Sequence, residues 1–343
     1  MRLRLMVMAP RIGIVSISGD LHPRAVARAI AKQRSDAVVH VFDVSSLPDR
    51  PGCVSVHQSQ MHATLQDETG AHVELSTLDA VWWRRHSLAA AAKLPEHRLE
   101  AELVQRDTQA FIEGAFLSSF QGAWINHPAS ARHAENKLIQ LATAARLGLR
   151  VADTIFTNDC SAVHRFQSAN DQAVVKCISG VPGVSLTTQL LTTALASDKD
   201  AISASPACYQ RLIGGNQHLR ILLVGPYVQA TLSLSYLVDS RIDEHIRYVP
   251  YQVPKEIVLQ LRELLNCLGL AMGVVDMKID DRGNFYFLEL NQQGQILATD
   301  VQAGTSMCEV VSRYLLETAT RNLTLRIWTP PQQQEPDRLG TLG

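Results

Sequence analysis

The sequence predicts an α/β chain of more than one domain. Short apolar runs alternate with segments of helical spacing, and Gly and Pro punctuate the junctions. At 343 residues and 46% apolar content the chain is long enough to bury two or three cores. Charge is balanced: 32 basic against 33 acidic side chains leave −1, which excludes a global pull toward nucleic acid or an anionic membrane. No apolar run reaches the ~18–20 residues of a transmembrane helix. The opening Met1–Arg11 is broken by Pro10 and reads as an ordinary N-terminal extension rather than a signal peptide.

The elements follow in order. Ile12–Ile17 is a first strand, followed by Gly19 and Asp20; a helix runs from Pro23 to Gln33, and Ala37–Phe42 is a second strand. Leu78–Trp83 is a third strand, ending in Arg84-Arg85. Residues 98–120 have helical spacing, with Leu99, Leu103, Phe111, Ile112 and Phe116 available for a buried face. Trp124–Asn126 is a short strand closed by His127-Pro128, and a new unit begins there. Residues 130–147 read as one helix ended by Gly148. Val174–Ile178 and Ala207–Ile213 are strands, with a flexible Gly180–Gly183 loop between them. Leu219–Val224 and Tyr227–Ala230 form a hairpin about Gly225-Pro226, and Lys255–Leu268 is an amphipathic helix. Two strands and a last helix, Met307–Thr318, precede a tail of linker composition.

Several chemistries are excluded by missing motifs. There is no Gly-x-x-x-x-Gly-Lys-Ser/Thr, Gly-x-Gly-x-x-Gly, Gly-x-Ser-x-Gly or His-Glu-x-x-His. Cys53, Cys160, Cys177, Cys208, Cys267 and Cys308 form no Cys-x-x-Cys, which argues against a zinc ribbon and for reduced thiols in a cytoplasmic setting.

The most informative segment is 273–291. Two strand-like runs flank the turn Asp281-Arg-Gly-Asn284. Pairing Asp280 with Phe285 places Asp276 opposite Glu289, and alternation puts Asn291 on the face of Glu289. Opposed carboxylates are destabilising unless neutralised. The residues alone leave two readings open. One is a divalent cation such as Mg²⁺, because Asp, Glu and Asn offer only oxygen ligands. The other is a solvated hairpin in which Lys278 offsets the charge.

Gly273-Val-Val-Asp276, continued by Phe287-Leu-Glu289-Leu-Asn291-Gln-Gln-Gly-Gln295, resembles the closing metal motif of ATP-grasp ligases. Other segments resemble that family in its own order. Asn126-His-Pro128 with Glu135-Asn-Lys137 and Gln140-Leu-Ala142 resembles the entry to the nucleotide module. Ala152-Asp-Thr154-Ile-Phe-Thr157-Asn158 and Val174-Val-Lys176 resemble two of its strands. Tyr209-Gln210-Arg211-Leu212-Ile213 resembles the adenine hinge, and Leu219-Arg220 opens the strand after it. Val81-Trp-Trp-Arg84-Arg85, Gly19-Asp20-x-His22 and Asp239-Ser-Arg241 are similar to the microviridin-type (graspetide) peptide macrocyclases, with coverage from about residue 11 to about 320.

The resemblance implies an N-terminal Rossmann-like pre-ATP-grasp domain over 1–125 and an ATP-grasp module of two α+β subdomains over 126–328. The small ATP-binding subdomain would span about 152–212 and the C-terminal one about 213–328, with a disordered tail at 329–343. It implies ATP and Mg²⁺. Lys137 and Lys176 would contact the phosphates, with Gln210, Arg211 and Leu212 at adenine and Asp276, Glu289 and Asn291 on the metal. Arg220 and Arg241 would be the catalytic pair on the acyl phosphate or substrate carboxylate, where the guanidinium fork suits a planar anion; Arg247 competes with Arg241. Asp20 and His22 are expected to shape a loop, and Arg84 and Arg85 to close a strand end. Arg211 stands where the family commonly has glutamate, and His218 where it commonly has aspartate.

The implied function is an ATP-dependent ligase for a ribosomal precursor peptide. It would activate Asp or Glu side chains as acyl phosphates and join them to hydroxyls or amines, giving lactones or lactams. Such phosphoryl transfer needs charge neutralisation and positioning more than a protein nucleophile. The expected partner is that leader-core peptide, with no nucleic acid and no membrane, in a homodimer. A ligase of free amino acids or small peptides, and a non-catalytic ATP-grasp binding protein, are the other readings.

Overall fold

The computed structural model describes residues 8–58, 60–85, 97–179 and 186–327. The expected Gly180–Gly183 loop and C-terminal tail lie outside the described residues.

The N-terminal part holds β1 (Arg11–Ser16), α1 (His22–Gln33), β2 (Val38–Asp43), β3 (Gly52–His57), β4 (Gln60–Gln66), β5 (His72–Glu74), β6 (Ala80–Trp83), α2 (Arg98–Ser119) and β7 (Ala123–Ile125). A parallel sheet runs β2-β1-β6-β7. Its β1 is covered on both faces, which explains the unbroken apolar run. Ile12 and Ile14 share a core with Val26 and Ile30 of α1, whereas Val15 packs with Ile112 and Phe116 of α2. Leu99 and Leu103, expected on the buried face of α2, are instead 69% and 59% exposed. Burial begins only at Ile112, so the sheet lies under the C-terminal half of the helix alone. The small antiparallel sheet β3-β4-β5 was missed by the sequence reading: β3 is almost wholly exposed, although β4 alternates Met61, Ala63 and Leu65 with polar residues.

The expected helix over 130–147 is two helices, α3 (Pro128–Ala134) and α4 (Lys137–Arg146). Asn136 leaves the helical region and its side chain accepts the N–H groups of Leu138 and Ile139, restarting the helix as an N-cap. Next come β8 (Thr154–Thr157), α5 (Cys160–Ala169), β9 (Ala173–Lys176), β10 (Gln189–Leu190), α6 (Thr193–Ser197), α7 (Lys199–Ala204) and β11 (Ala207–Arg211). Their antiparallel sheet has the order β10-β9-β11-β8.

The last part comprises β12 (Gln217–Val224), β13 (Tyr227–Leu234), β14 (Tyr248–Pro250), α8 (Lys255–Cys267), β15 (Met272–Ile279), β16 (Phe285–Asn291), α9 (Leu297–Ala303) and α10 (Met307–Ile327). Its antiparallel sheet runs β14-β13-β12-β15-β16. Ile221, Leu223, Val275 and Met277 pack with Leu261, Leu264 and Leu265 of α8. Leu222, Val224, Met272 and Val274 join Ile12, Trp82 and residues of α10 in one core, so α10 closes over the N-terminal sheet. On that same sheet face, Arg220 and Asp276 lie next along their strands.

Asp276 does pair with Glu289, by a different route from the one expected. Near the turn Ile279 pairs with Phe285, and the register shifts between Asp276 and Met277. Leu288 is the extra residue of this β-bulge. Phe287 and Leu290 both enter the core, three residues apart, and only a bulge puts both on one face. Leu288 and Glu289 are thereby turned to the opposite side.

Candidate active site

A cavity of about 390 Å³ opens between the β10-β9-β11-β8 and β14-β13-β12-β15-β16 sheets. Lys137, Lys176, Gln210, Arg211, Leu212, Arg220, Arg241, Asp276 and Glu289 all line it. Asn291 is not among the lining residues; its Oδ1 accepts the Gln293 N–H at 2.9 Å. Arg247 does not line the cavity either, whereas Arg241 does.

The charges are paired across strands. Arg220 lies opposite Asp276 in the β12–β15 ladder. Its Nη1 donates to both Asp276 oxygens at 2.8 and 2.9 Å, while Nε and Nη2 donate to the Gln295 carbonyl at 3.0 and 2.8 Å. Lys137, at the N-terminus of α4, donates to the Cys177 carbonyl and stands 3.6 Å from Glu289. Lys176 donates to Gln210 Oε1 at 2.9 Å, and Gln210 Nε2 donates to Thr154 at 2.8 Å. Burial lowers the Lys176 ammonium from its ordinary range, with the lysine's cationic neighbours acting in the same direction and nearby Glu289 against it. Lys278 is buried rather than solvated, and burial lowers its pKa as well.

Gln210 is thus engaged between a lysine and a threonine. The backbone N–H groups of Arg211 and Leu212 are donated to the carbonyls of Asp153 and Gln172. What remains for a flat heterocycle is a set of apolar walls that includes Val174, Leu212, Ile213, Met277 and Leu288. The Arg211 side chain turns to Asp153 at 3.3 Å and lies over the Tyr286 ring. His218 shares a 3.2 Å hydrogen bond with the Ser235 carbonyl, and burial lowers its pKa.

Arg241 is held by Asp239, whose Oδ1 accepts from Nε at 2.8 Å and Oδ2 from Nη2 at 2.5 Å. The Thr188 N–H also donates to Asp239. Burial opposes ionisation of Asp239, but these bonds outweigh it and lower the pKa to about 2. The folded value lies below the ordinary 3.8, so the carboxylate's stabilisation is full above about pH 4 and is lost as pH falls toward 2. Asp239→Asn is expected to remove about 2 kcal/mol at neutral pH. It should also flatten the stability profile between pH 4 and 2, as urea unfolding across that range would read.

The donor set fits Mg²⁺. Asp276 and Glu289 face each other and offer only oxygen ligands. Burial raises the Asp276 pKa, Arg220 opposes that shift, and the Glu289 charge adds to it, a repulsion that a cation would relieve. Among the described residues no group of three or more His, Cys, Asp or Glu could hold a metal. A cation here therefore depends on ligands from phosphate and water, as Mg²⁺ sites at nucleotides do.

No protein-family model matches the chain, and no curated protein matches it. Solved structures do match. The macrocyclase MdnC bound with precursor peptide MdnA, from Microcystis aeruginosa MRC, is 26% identical with a TM-score of 0.79, over 90% of this chain and 99% of that one. The chain has the ATP-grasp fold and is similar to such peptide macrocyclases. A RiPP-associated ATP-grasp ligase from Chryseobacterium gregarium, in complex with ADP and a leader and core peptide, has 22% identity and a TM-score of 0.75, over 90% and 96% of the two chains. The ATP-grasp ligase PsnB, complexed with a phosphomimetic variant of its minimal precursor, Mg and ADP, has 22% identity and a TM-score of 0.73, over 91% and 99%. At that identity the latter two speak for the fold.

Sequence reasoning on this ATP-grasp ligase left Asp239 without a role and passed over Thr188, Ser233 and Tyr248, which line the same cavity. Asp239 carried a signal, since Asp two residues before Arg241 is the spacing of a side-chain cap on a short turn. Tyr248 carried none: it reaches the site only because β14 pairs with β13.

Proposed function

We propose that this ligase uses ATP to activate side-chain carboxylates of a ribosomal precursor peptide and closes them onto hydroxyl or amine side chains. One observation carries the reading. Arg220 and Arg241 share a cavity with Lys137, Lys176 and the opposed Asp276–Glu289 pair, and both guanidiniums are already oriented by acidic partners. The placement supports the following roles. Lys137 and Lys176 hold phosphate oxygens, and the apolar walls beside Gln210, Arg211 and Leu212 take adenine. Asp276 and Glu289 would be the metal's protein ligands; Asn291, whose Oδ1 is engaged by the Gln293 N–H, follows them on the same strand as Glu289. Mg²⁺, when bound, neutralises the transferring phosphoryl group. Arg220 and Arg241 present guanidinium N–H groups to the substrate carboxylate and stabilise the negative charge of its acyl phosphate. A peptide hydroxyl or amine then attacks the acyl carbon, and phosphate leaves.

No described helix is long and apolar enough to cross a membrane, and all six cysteines are unpaired, which supports a cytoplasmic enzyme. The resemblance also favours a homodimer, which sedimentation would test. D-cycloserine synthetase DcsG has a TM-score of 0.59 at 15% identity, so the fold alone does not choose the substrate. The deciding experiment incubates the enzyme, Mg²⁺ and ATP with the peptide encoded beside its gene. The expected product has lost one water per crosslink, with one ADP formed for each. ADP formation with free amino acids and an unchanged peptide would overturn the assignment.

A further inference from the structure

We propose that Arg84, supported by Asp20 and His22, is a positioning residue for Arg220: it fixes the 293–297 turn so that the Gln295 carbonyl faces the site. The inference rests on the reading of Arg220 as the carboxylate-binding arginine. Arg84 closes β6 but is wholly buried and lies over the Trp82 ring. Its Nη1 donates to the carbonyls of Gln293 and Gly294, and its Nε and Nη2 donate to Asp20 at 2.7 and 3.2 Å.

His22 holds the other end of the turn. The N–H groups of Ile296 and Leu297 converge on its Nε2 at 3.2 and 3.1 Å. A nitrogen that accepts two N–H groups carries no proton, so the ring proton sits on Nδ1 and is donated to Asp20 at 2.7 Å. Residues 293, 294, 296 and 297 are thus tied to the N-terminal domain. Gln295, between them, turns its carbonyl onto Nε and Nη2 of Arg220. Gly294 sits at φ +68°, a backbone conformation that favours glycine, which keeps the turn this tight. A buried guanidinium is costly, and an apolar residue of similar volume would dock two domains at less cost. What such a residue lacks is donors for two consecutive carbonyls.

The test is the rate at which phenylglyoxal modifies Arg220, followed by peptide mass spectrometry. The variants are Arg84→Lys, His22→Phe and His22→Gln, and the exposed Arg165 serves as internal reference. Loss of hydrogen bonds to a charged group should raise the Arg220 rate about tenfold in Arg84→Lys and His22→Phe, with Arg165 unchanged. His22→Gln, whose amide oxygen can still accept the turn's N–H groups, should restore most of the protection. A purely structural role predicts a lower melting temperature with an unchanged Arg220 rate, and that result would overturn the proposal. If Arg84→Lys fails to fold, the contrast between the two His22 variants decides. Protection of wild-type Arg220 by Mg²⁺ and a non-hydrolysable ATP analogue is read separately. Its absence would count against the ligase reading and leave the result on the turn standing.

Discussion

Glu289→Ala is expected to abolish the Mg²⁺-dependent part of the thermal stabilisation that a non-hydrolysable ATP analogue gives the wild type. At about 100 times its dissociation constant the nucleotide should stabilise the wild type by about 2.7 kcal/mol. That corresponds to a rise of about 4 °C in melting temperature for a chain of this size. Without ligand the substitution should cost little. Glu289 is a third exposed and its nearest cation, Lys137 Nζ, is 3.6 Å away, a pair of small net value. Its removal also relieves the repulsion on Asp276. The discriminating quantity is therefore the difference between scans with and without Mg²⁺, not the melting temperature itself. An equal metal-dependent rise in Glu289→Ala would remove Glu289 from the metal site. No nucleotide-dependent rise in the wild type would favour the non-catalytic reading.

The hairpin behind that prediction shows how far sequence reasoning reaches. The opposition of Asp276 and Glu289 was legible from turn position and strand period, although the assumed uniform register was wrong. The bulge was also encoded: Phe287 and Leu290 are apolar at a spacing of three, which no regular strand buries on one side. In the same way, Asn136 marked the break between α3 and α4 as a helix-capping residue in the middle of a helical pattern. The fold class was legible because each long element carries its own period. Leu99 and Leu103 have helical spacing too, but whether a sheet lies beneath them is a tertiary fact. The ties between the N-terminal part and the 293–297 turn were not legible either. Nothing in the sequence near residue 84 says that its guanidinium meets the carbonyls of residues 293 and 294. Long-range polar contacts have no period, and only the shared core of β1, β15 and α10 brings these segments together.

Arg220→Ala should have the larger effect on turnover. The side chain makes four hydrogen bonds in two directions, to both oxygens of Asp276 and twice to the Gln295 carbonyl. Removing a donor aimed at developing negative charge costs about 10²–10³ in kcat. Nucleotide affinity should fall far less, since Lys137 and Lys176 remain, so kcat and the dissociation constant separate. Arg220→Lys should recover only part of the loss, because one ammonium cannot serve two acceptors in a fixed fork. The pH profile supplies an independent check. Burial already raises the Asp276 carboxyl above its ordinary range, and Arg220 is the strongest group opposing that shift. Asp276 must be ionised to hold a cation, so activity falls as pH drops through its pKa. Without Arg220 that pKa rises further, and the acid limb of kcat must move to higher pH. An unmoved acid limb with a full loss of kcat would mean that Arg220 acts on substrate alone; a moved limb with little loss would make it chiefly the partner of Asp276. Both changes together are what the proposed placement of Arg220, between a metal-binding Asp276 and the reacting carboxylate, requires.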